Sequence, residues 1–183
     1  MKNILIITII IISSLQIQAQ KYLTKTGNIR FFSDAPLEKI EAVNKQVNAA
    51  FDASTGDMVF KVLMKSFNFE KALMQEHFNE NYVESDKYPN STFVGKVTNL
   101  SAIDFQKPGK YPVEVDGKLT LHGVTMQVKT KGTFDVSQGK IVANSKFTIQ
   151  LPDYKIDIPG AVIKNISKTI EITVDVTLNQ ATK

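Results

Sequence analysis

Two histidines, His77 and His122, and two spaced carboxylate pairs, Glu76/Glu80 and Asp153/Asp157, are the side chains whose types could do chemistry. A histidine flanked by acids is the beginning of a metal site or of an acid–base pair. Zinc, however, takes three or four protein ligands, so His77 would need partners from elsewhere in the fold. The metalloprotease spacing H-E-x-x-H is missing. The carboxylate pairs fall on a helix face and in a turn-rich stretch, where solvated acids ordinarily sit. His122 precedes Gly123 between two apolar-alternating runs, the composition of a tight turn. Cys is absent, which removes thiol nucleophiles, disulfides and a lipoprotein anchor. No G-x-S-x-G elbow or phosphate loop occurs. The expectation is a non-enzyme with no catalytic residue, no metal and no cofactor.

Length and composition bound what remains. The 183 residues allow one domain, and 43% hydrophobic with 22% charged residues is an ordinary globular balance. Residues 1–19 differ: Lys2, an apolar run over Ile4–Ile12 and the close Ile17-Gln18-Ala19 predict a cleaved secretory signal peptide. The domain would then be 20–183, secreted or periplasmic. The 22 Lys and Arg lose Lys2 with the leader, so 21 face 18 Asp and Glu. These charges are interspersed, which argues against nucleic-acid binding.

The elements that must position any site show a period of two. Val113, Val115, Leu119 and Leu121 alternate with polar residues; past His122-Gly123 so do Val124, Met126, Val128, Phe134 and Val136. This pattern is a half-buried antiparallel hairpin with long strands. Long, one-sided strands bury their apolar face by closing into a barrel or by packing as a sandwich. Similar alternation predicts strands through Lys21–Phe32, interrupted at Gly27-Asn28, and through Val47–Phe51. It also predicts strands carrying Met58, Phe60, Val62 and Met64, then Phe93 and Val97, then Ile141 to Leu151 with Phe147 and Ile149. The last runs from Ile170 to Leu178 with Ile172. About eight strands result.

Two helices interrupt them. Ser33 or Asp34 as cap and Pro36 in the first turn predict a short helix over Leu37–Val43. Asn68 as cap predicts an amphipathic helix through Tyr82. Phe69, Leu73 and His77 form one column on it, and Met74, Phe78 and Tyr82 the next. Lying between strands, it should cover one barrel mouth. Pro152–Lys168 reads as an irregular loop.

The segments SFNFEKALMQEHFNENYVESDKYPNSTF (66–93), GKLTLHGVT (117–125) and DYKIDIPG (153–160), in this order and after a leader, resemble the YceI-like family of exported lipid-binding proteins. The resemblance spans about residues 21–180. It implies an all-β fold, an extended eight-stranded antiparallel lipocalin-like β-barrel with one or two short covering helices. It implies an apolar cavity for a long-chain lipid: a polyisoprenoid, a quinone or a fatty amide. A homodimer and transient membrane contact are also implied. Gln75-Glu76-His77-Phe78 stands where relatives more often carry an Asp-rich run, so ligand identity transfers less readily than fold.

On the residues alone, a filled core is the simpler reading of the inward faces; the resemblance favours a cavity. Its expected lining is Phe60, Val62 and Met64 in one strand, Phe69, Leu73, His77 and Phe78 in the covering helix, and Phe93. Leu119, Val128, Phe134, Phe147, Ile149 and Ile172 complete it from later strands. His77 is the residue expected to face a polar headgroup.

Overall fold

The period-two runs form long strands in the computed structural model, which describes residues 20–181. Among these residues the strands are β1 Lys21–Asp34, β2 Lys39–Asp52, β3 Asp57–Leu63, β4 Phe67–Phe69, β5 Asn90–Val97, β6 Gly109–Leu121, β7 Val124–Ser137, β8 Lys140–Gln150 and β9 Thr169–Gln180. All pairings are antiparallel. They run β1–β2–β3–β5–β6–β7–β8–β9 and close where β9 pairs back onto β1. The three-residue β4 adds no further wall position. It pairs with Ala42–Asn44 of β2, beyond the rungs that β3 makes with Asn48–Phe51. β3 and β4 are therefore one strand bent at the 3-10 turn Met64–Ser66. The fold is a closed eight-stranded, lipocalin-like barrel carrying one short α-helix, α1 Ala72–His77. The predicted leader lies outside the described residues.

The β6–β7 hairpin is paired on every rung from Gly109↔Val136 to Leu121↔Val124. His122 and Gly123 take φ of 50° and 73°, the left-handed pair that a two-residue type I′ turn requires.

Residues 37–43 are not helical, contrary to the capping signals. Ser33 and Asp34 end β1, Ala35–Glu38 turn, and Lys39–Val43 begin β2, with Phe31↔Ala42 and Ser33↔Ile40 as rungs. A two-turn helix has too few internal hydrogen bonds to stand alone. Pairing 14 residues of β2 against β1 wins. Leu37, the first residue of the predicted helix, is 69% exposed. The period-two signal in β2 was concealed by a phase change: Ala42 and Asn44 point inward, then Val47, Ala49 and Phe51. Asn44 holds this irregularity. Fully buried, it donates from Nδ2 to the Leu63 carbonyl at 2.9 Å and accepts the Gln46 N–H through Oδ1 at 2.9 Å. Likewise, β1 continues through Gly27-Asn28 with register shifts and no break.

The covering helix is shorter than its apolar columns predict. Asn68 lies in β4; Lys71 is the N-cap and makes no side-chain capping bond. After α1 the chain widens into a π turn over Phe78–Tyr82. Phe69 thus belongs to a strand, although it still faces the same interior as Leu73.

Buried side chains gather at the two ends of the barrel. The lower cluster packs Phe51, Val97, Ile103, Val136, Ile141 and Leu178 beneath the 98–108 loop, with Phe51 and Phe105 ring centroids 5.8 Å apart. The upper cluster includes Val47, Met64, Phe67, Tyr154 and Ile156.

Candidate functional site

Between the two clusters the interior is open. A cavity of about 560 Å³ runs from Met58, Val113 and Phe134 above the lower core up to the helix α1. Its lining is overwhelmingly apolar, because each strand's inward positions are Val, Ile, Leu, Met or Phe. Phe60 and Val62 face it from β3, Met64 from the following turn, and Phe93 from β5. Leu119 of β6, Val128 and Phe134 of β7, Phe147 and Ile149 of β8, and Ile172 of β9 border it too. Phe69, Leu73, His77 and Phe78 border its upper end, with Leu73 still 61% exposed at the opening. One volume therefore brings together every residue nominated from the sequence. The interior is not filled.

Local chemistry explains why it stays open. Phe93 does not cross the axis but folds back on the wall. Gly95 of β5 and Gly117 of β6 are direct partners, and a Cβ on Gly117 would meet the Phe93 ring at 2.4 Å. Two facing glycines leave the recess in which that ring lies. At the roof, Phe31, Phe67, Phe69 and Phe78 pack ring on ring. The Phe31–Phe78 centroids are 5.4 Å apart and the Phe69–Phe78 centroids 5.0 Å, distances typical of aromatic pairs. These rings satisfy one another and leave the space below them unoccupied.

Polar groups concentrate at the mouth, which the sequence pattern did not reveal. Glu38 follows the β1–β2 turn and accepts from Lys71 Nζ at 3.0 Å and from Asn165 Nδ2 at 3.4 Å. All three border the cavity. The Lys71 hydrogen bond holds the Glu38 carboxyl below its ordinary range despite partial desolvation. Ser33, also at the cavity, accepts the Ser167 N–H through Oγ at 2.9 Å and so ties the 160–168 loop to β1. No sequence signal links Glu38 to Asn165, which lie on separate turns. His77 sits at the rim, exposed, and borders the cavity.

The second histidine does more than turn the chain. His122 Nδ1 lies 3.0 Å from the Tyr154 carbonyl and Nε2 lies 2.7 Å from a Glu84 carboxylate oxygen. Its ring meets Tyr88 edge-on at 4.8 Å. The Glu84 carboxyl is held down mainly by its bond to His122. Glu84 itself has φ of 45°, a left-handed backbone uncommon outside Gly, Asn and Asp. This cluster pins the chain after the π turn and the 151–156 segment to the β6–β7 turn. Burial, with the Asp153 charge second, pushes the Tyr154 phenol up to about 12. Among the described residues no three His, Asp or Glu side chains gather as metal ligands would.

The YceI-like domain model matches residues 20–178. The chain belongs to the YceI-like family. Solved structures agree with this assignment at the level of fold. A polyisoprenoid-binding domain from Saccharophagus degradans, implicated in plant cell wall breakdown, superposes with a TM-score of 0.77 at 16% identity, covering 90% of this chain and 100% of its own. BcnA of Burkholderia cenocepacia gives 0.69 at 17% identity, covering 85% and 96%. The Campylobacter jejuni YceI protein gives 0.59 at 20% identity, covering 76% and 84%. A search of curated proteins finds no match.

Proposed function

We propose that this YceI-like protein is a non-catalytic carrier that holds the hydrocarbon chain of an isoprenoid-like or other long-chain amphiphile in the barrel. The headgroup lies at the mouth, beside His77 and the Glu38–Lys71–Asn165 cluster. The observation that carries the proposal is the apolar cavity of about 560 Å³, a volume in the ordinary range for small-ligand sites of roughly 300–1,000 Å³. Burying hydrocarbon contributes at best about 0.8 kcal/mol per CH₂, or roughly 4 kcal/mol for a five-carbon unit. Association costs roughly 4–15 kcal/mol, so three or four such units suffice without a charged anchor.

The mouth favours an uncharged headgroup such as a quinone, alcohol or amide. The lysine and the glutamate that border the cavity, Lys71 and Glu38, are already paired with each other, so neither offers an unpaired charge to a headgroup. The S. degradans neighbour, described as polyisoprenoid-binding, supports the ligand class. The predicted leader supports a periplasmic or secreted location. In this reading the carrier meets the membrane transiently, needs no cofactor, and works as a monomer or a homodimer.

Organic extraction of protein purified from its native host, followed by mass spectrometry, tests the proposal. A long-chain lipid at near-stoichiometric yield is expected. A clean extract, together with no binding of a quinone, a long-chain alcohol or a fatty amide, would overturn it.

A further inference from the structure

The barrel wall carries a built slit. β7 and β8 are joined only from Gly132↔Ser145 to Ser137↔Lys140. Above that point both strands run on. Val124–Lys131 of β7 remain paired to β6 alone, and Lys146–Gln150 of β8 to β9 alone. At roughly 3.3 Å per residue, the five-residue side of this gap is about 17 Å long.

The lower end of the slit is finished chemically. A Cβ on Gly132 would lie 2.4 Å from the Asn144 carbonyl oxygen, so the two strands touch there as only glycine allows. One step higher, Ser145 Oγ donates to the Lys131 carbonyl at 2.8 Å and lies 3.0 Å from Thr130 Oγ1. Side-chain hydroxyls thus satisfy the backbone where the ladder stops. The upper end is closed by the 151–156 segment, whose buried Tyr154 and Ile156 are held in place through His122 and Glu84. A frayed strand end would have neither boundary.

The slit leads into the cavity. Val128 and Thr130 on one lip and Phe147 and Ile149 on the other border it, and Met126, farther along the first lip, is 37% exposed. We infer that the β7–β8 slit is a lateral doorway through which the hydrocarbon chain of a bound amphiphile slides in and out of the barrel. The headgroup meanwhile stays near the mouth. An end-on route must draw the whole chain lengthwise past the Glu38–Lys71 pair that borders the mouth. A sideways route lets the chain pass between Val128 on one lip and Phe147 and Ile149 on the other, keeping methylene groups against apolar side chains on the cavity side.

The inference rests on the carrier reading, and the test separates the two. The chain has no cysteine of its own, so a Lys129→Cys/Thr148→Cys variant can be bridged across the slit by a short bis-maleimide containing a reducible disulfide. A Lys118→Cys/Gln127→Cys variant, bridged across a fully paired rung of β6 and β7, is the control. Both are loaded from phosphatidylcholine vesicles with the conjugated eighteen-carbon alcohol of parinaric acid, which fluoresces on burial.

Bridging the slit should slow both loading and release at least ten-fold and change equilibrium affinity less than three-fold. Reduction of the bridge should restore the rates, and the control should exchange at the parent rate. Equal rates with and without the slit bridge would overturn the doorway while leaving the carrier standing. Failure of the unbridged parent to bind the alcohol, a quinone or a fatty amide would overturn both.

Discussion

Glu38 is where an apolar cavity meets charge, and its bond to Lys71 sets what kind of headgroup the mouth tolerates. Because that bond lowers the carboxyl's protonation range, the acid is ionised at neutral pH and cancels the lysine. Glu38→Gln would leave Lys71 uncompensated. Lys71 is 63% exposed in its side chain, so solvent screening keeps the effect to the modest size of a surface pair. The affinity ratio of an eighteen-carbon acid over the matching alcohol should rise about three- to five-fold, measured by fluorescence titration; no change would place the headgroup elsewhere. A second residue-scale contrast separates core from lining. Phe51, 2% exposed, packs against Phe105 and Phe134 in the lower core. Phe51→Ala should cost about 3–5 kcal/mol in denaturant unfolding, as for a buried aromatic. Phe60 faces empty volume on one side, so Phe60→Ala should cost clearly less stability and more ligand affinity.

At the scale of elements, the His122–Glu84 contact joins three pieces of chain that close the slit from above. The sign of its pH dependence follows from Glu84. Its folded-state carboxyl is held below the ordinary range, so within that window the unfolded chain binds more protons and stability rises with pH. The contribution is complete above the ordinary carboxylate range and is lost as pH falls through the lowered one. Thermal midpoints recorded from neutral to acid pH should therefore fall less steeply for Glu84→Gln than for the parent; parallel curves would remove Glu84 from the latch. Elements also show what was legible beforehand. Strands whose apolar faces keep one phase, such as Val113–Leu121, Phe134–Val136 and Ile170–Leu178, were readable because a single-sided period of two has one solution. The second half of β2, Val47–Phe51, was readable in the same way, but its first half was not, since the irregularity held by Asn44 reverses the phase after six residues and capping-type residues precede it. Among the site residues, the inward strand positions followed from the same alternation, whereas their lining an open cavity was implied only by the family resemblance, the residues alone favouring a filled core. Glu38, Lys71 and Asn165 did not, because only tertiary folding brings three separate turns together. The slit was equally invisible: β7 and β8 alternate normally, and nothing local states where their ladder ends.

Taken as a whole, the molecule is polarised from end to end. Its lower end is plugged by the 98–108 loop and the Phe51 cluster, whereas the upper end carries the opening, the polar cluster and the slit's closing segment. Three exposed large apolar side chains lie at that upper end. Leu37 is 69% exposed, Leu73 61% and Ile163 47%. The Leu37 N–H donates to the Lys164 carbonyl at 3.0 Å, Leu73 borders the cavity, and Ile163 follows Val162, which also borders it. Three apolar residues, two on turns and one on α1, therefore ring one opening, with Lys39, Lys71 and Lys164 beside them in sequence. A carrier that docks by this end would dip those side chains into a bilayer while its lysines meet anionic headgroups, and would lift off again because so small an apolar area holds only weakly. Leu73→Asp combined with Ile163→Asp should leave the unfolding midpoint nearly unchanged, as both sites are solvent-exposed. The same pair should reduce about ten-fold the rate at which the protein takes the eighteen-carbon alcohol from vesicles containing anionic phospholipid. Affinity for alcohol already dispersed in buffer should stay within about two-fold, because the cavity itself is untouched. If transfer from vesicles proceeds at the parent rate, the ligand reaches the barrel through water and the apolar rim has no part in its delivery.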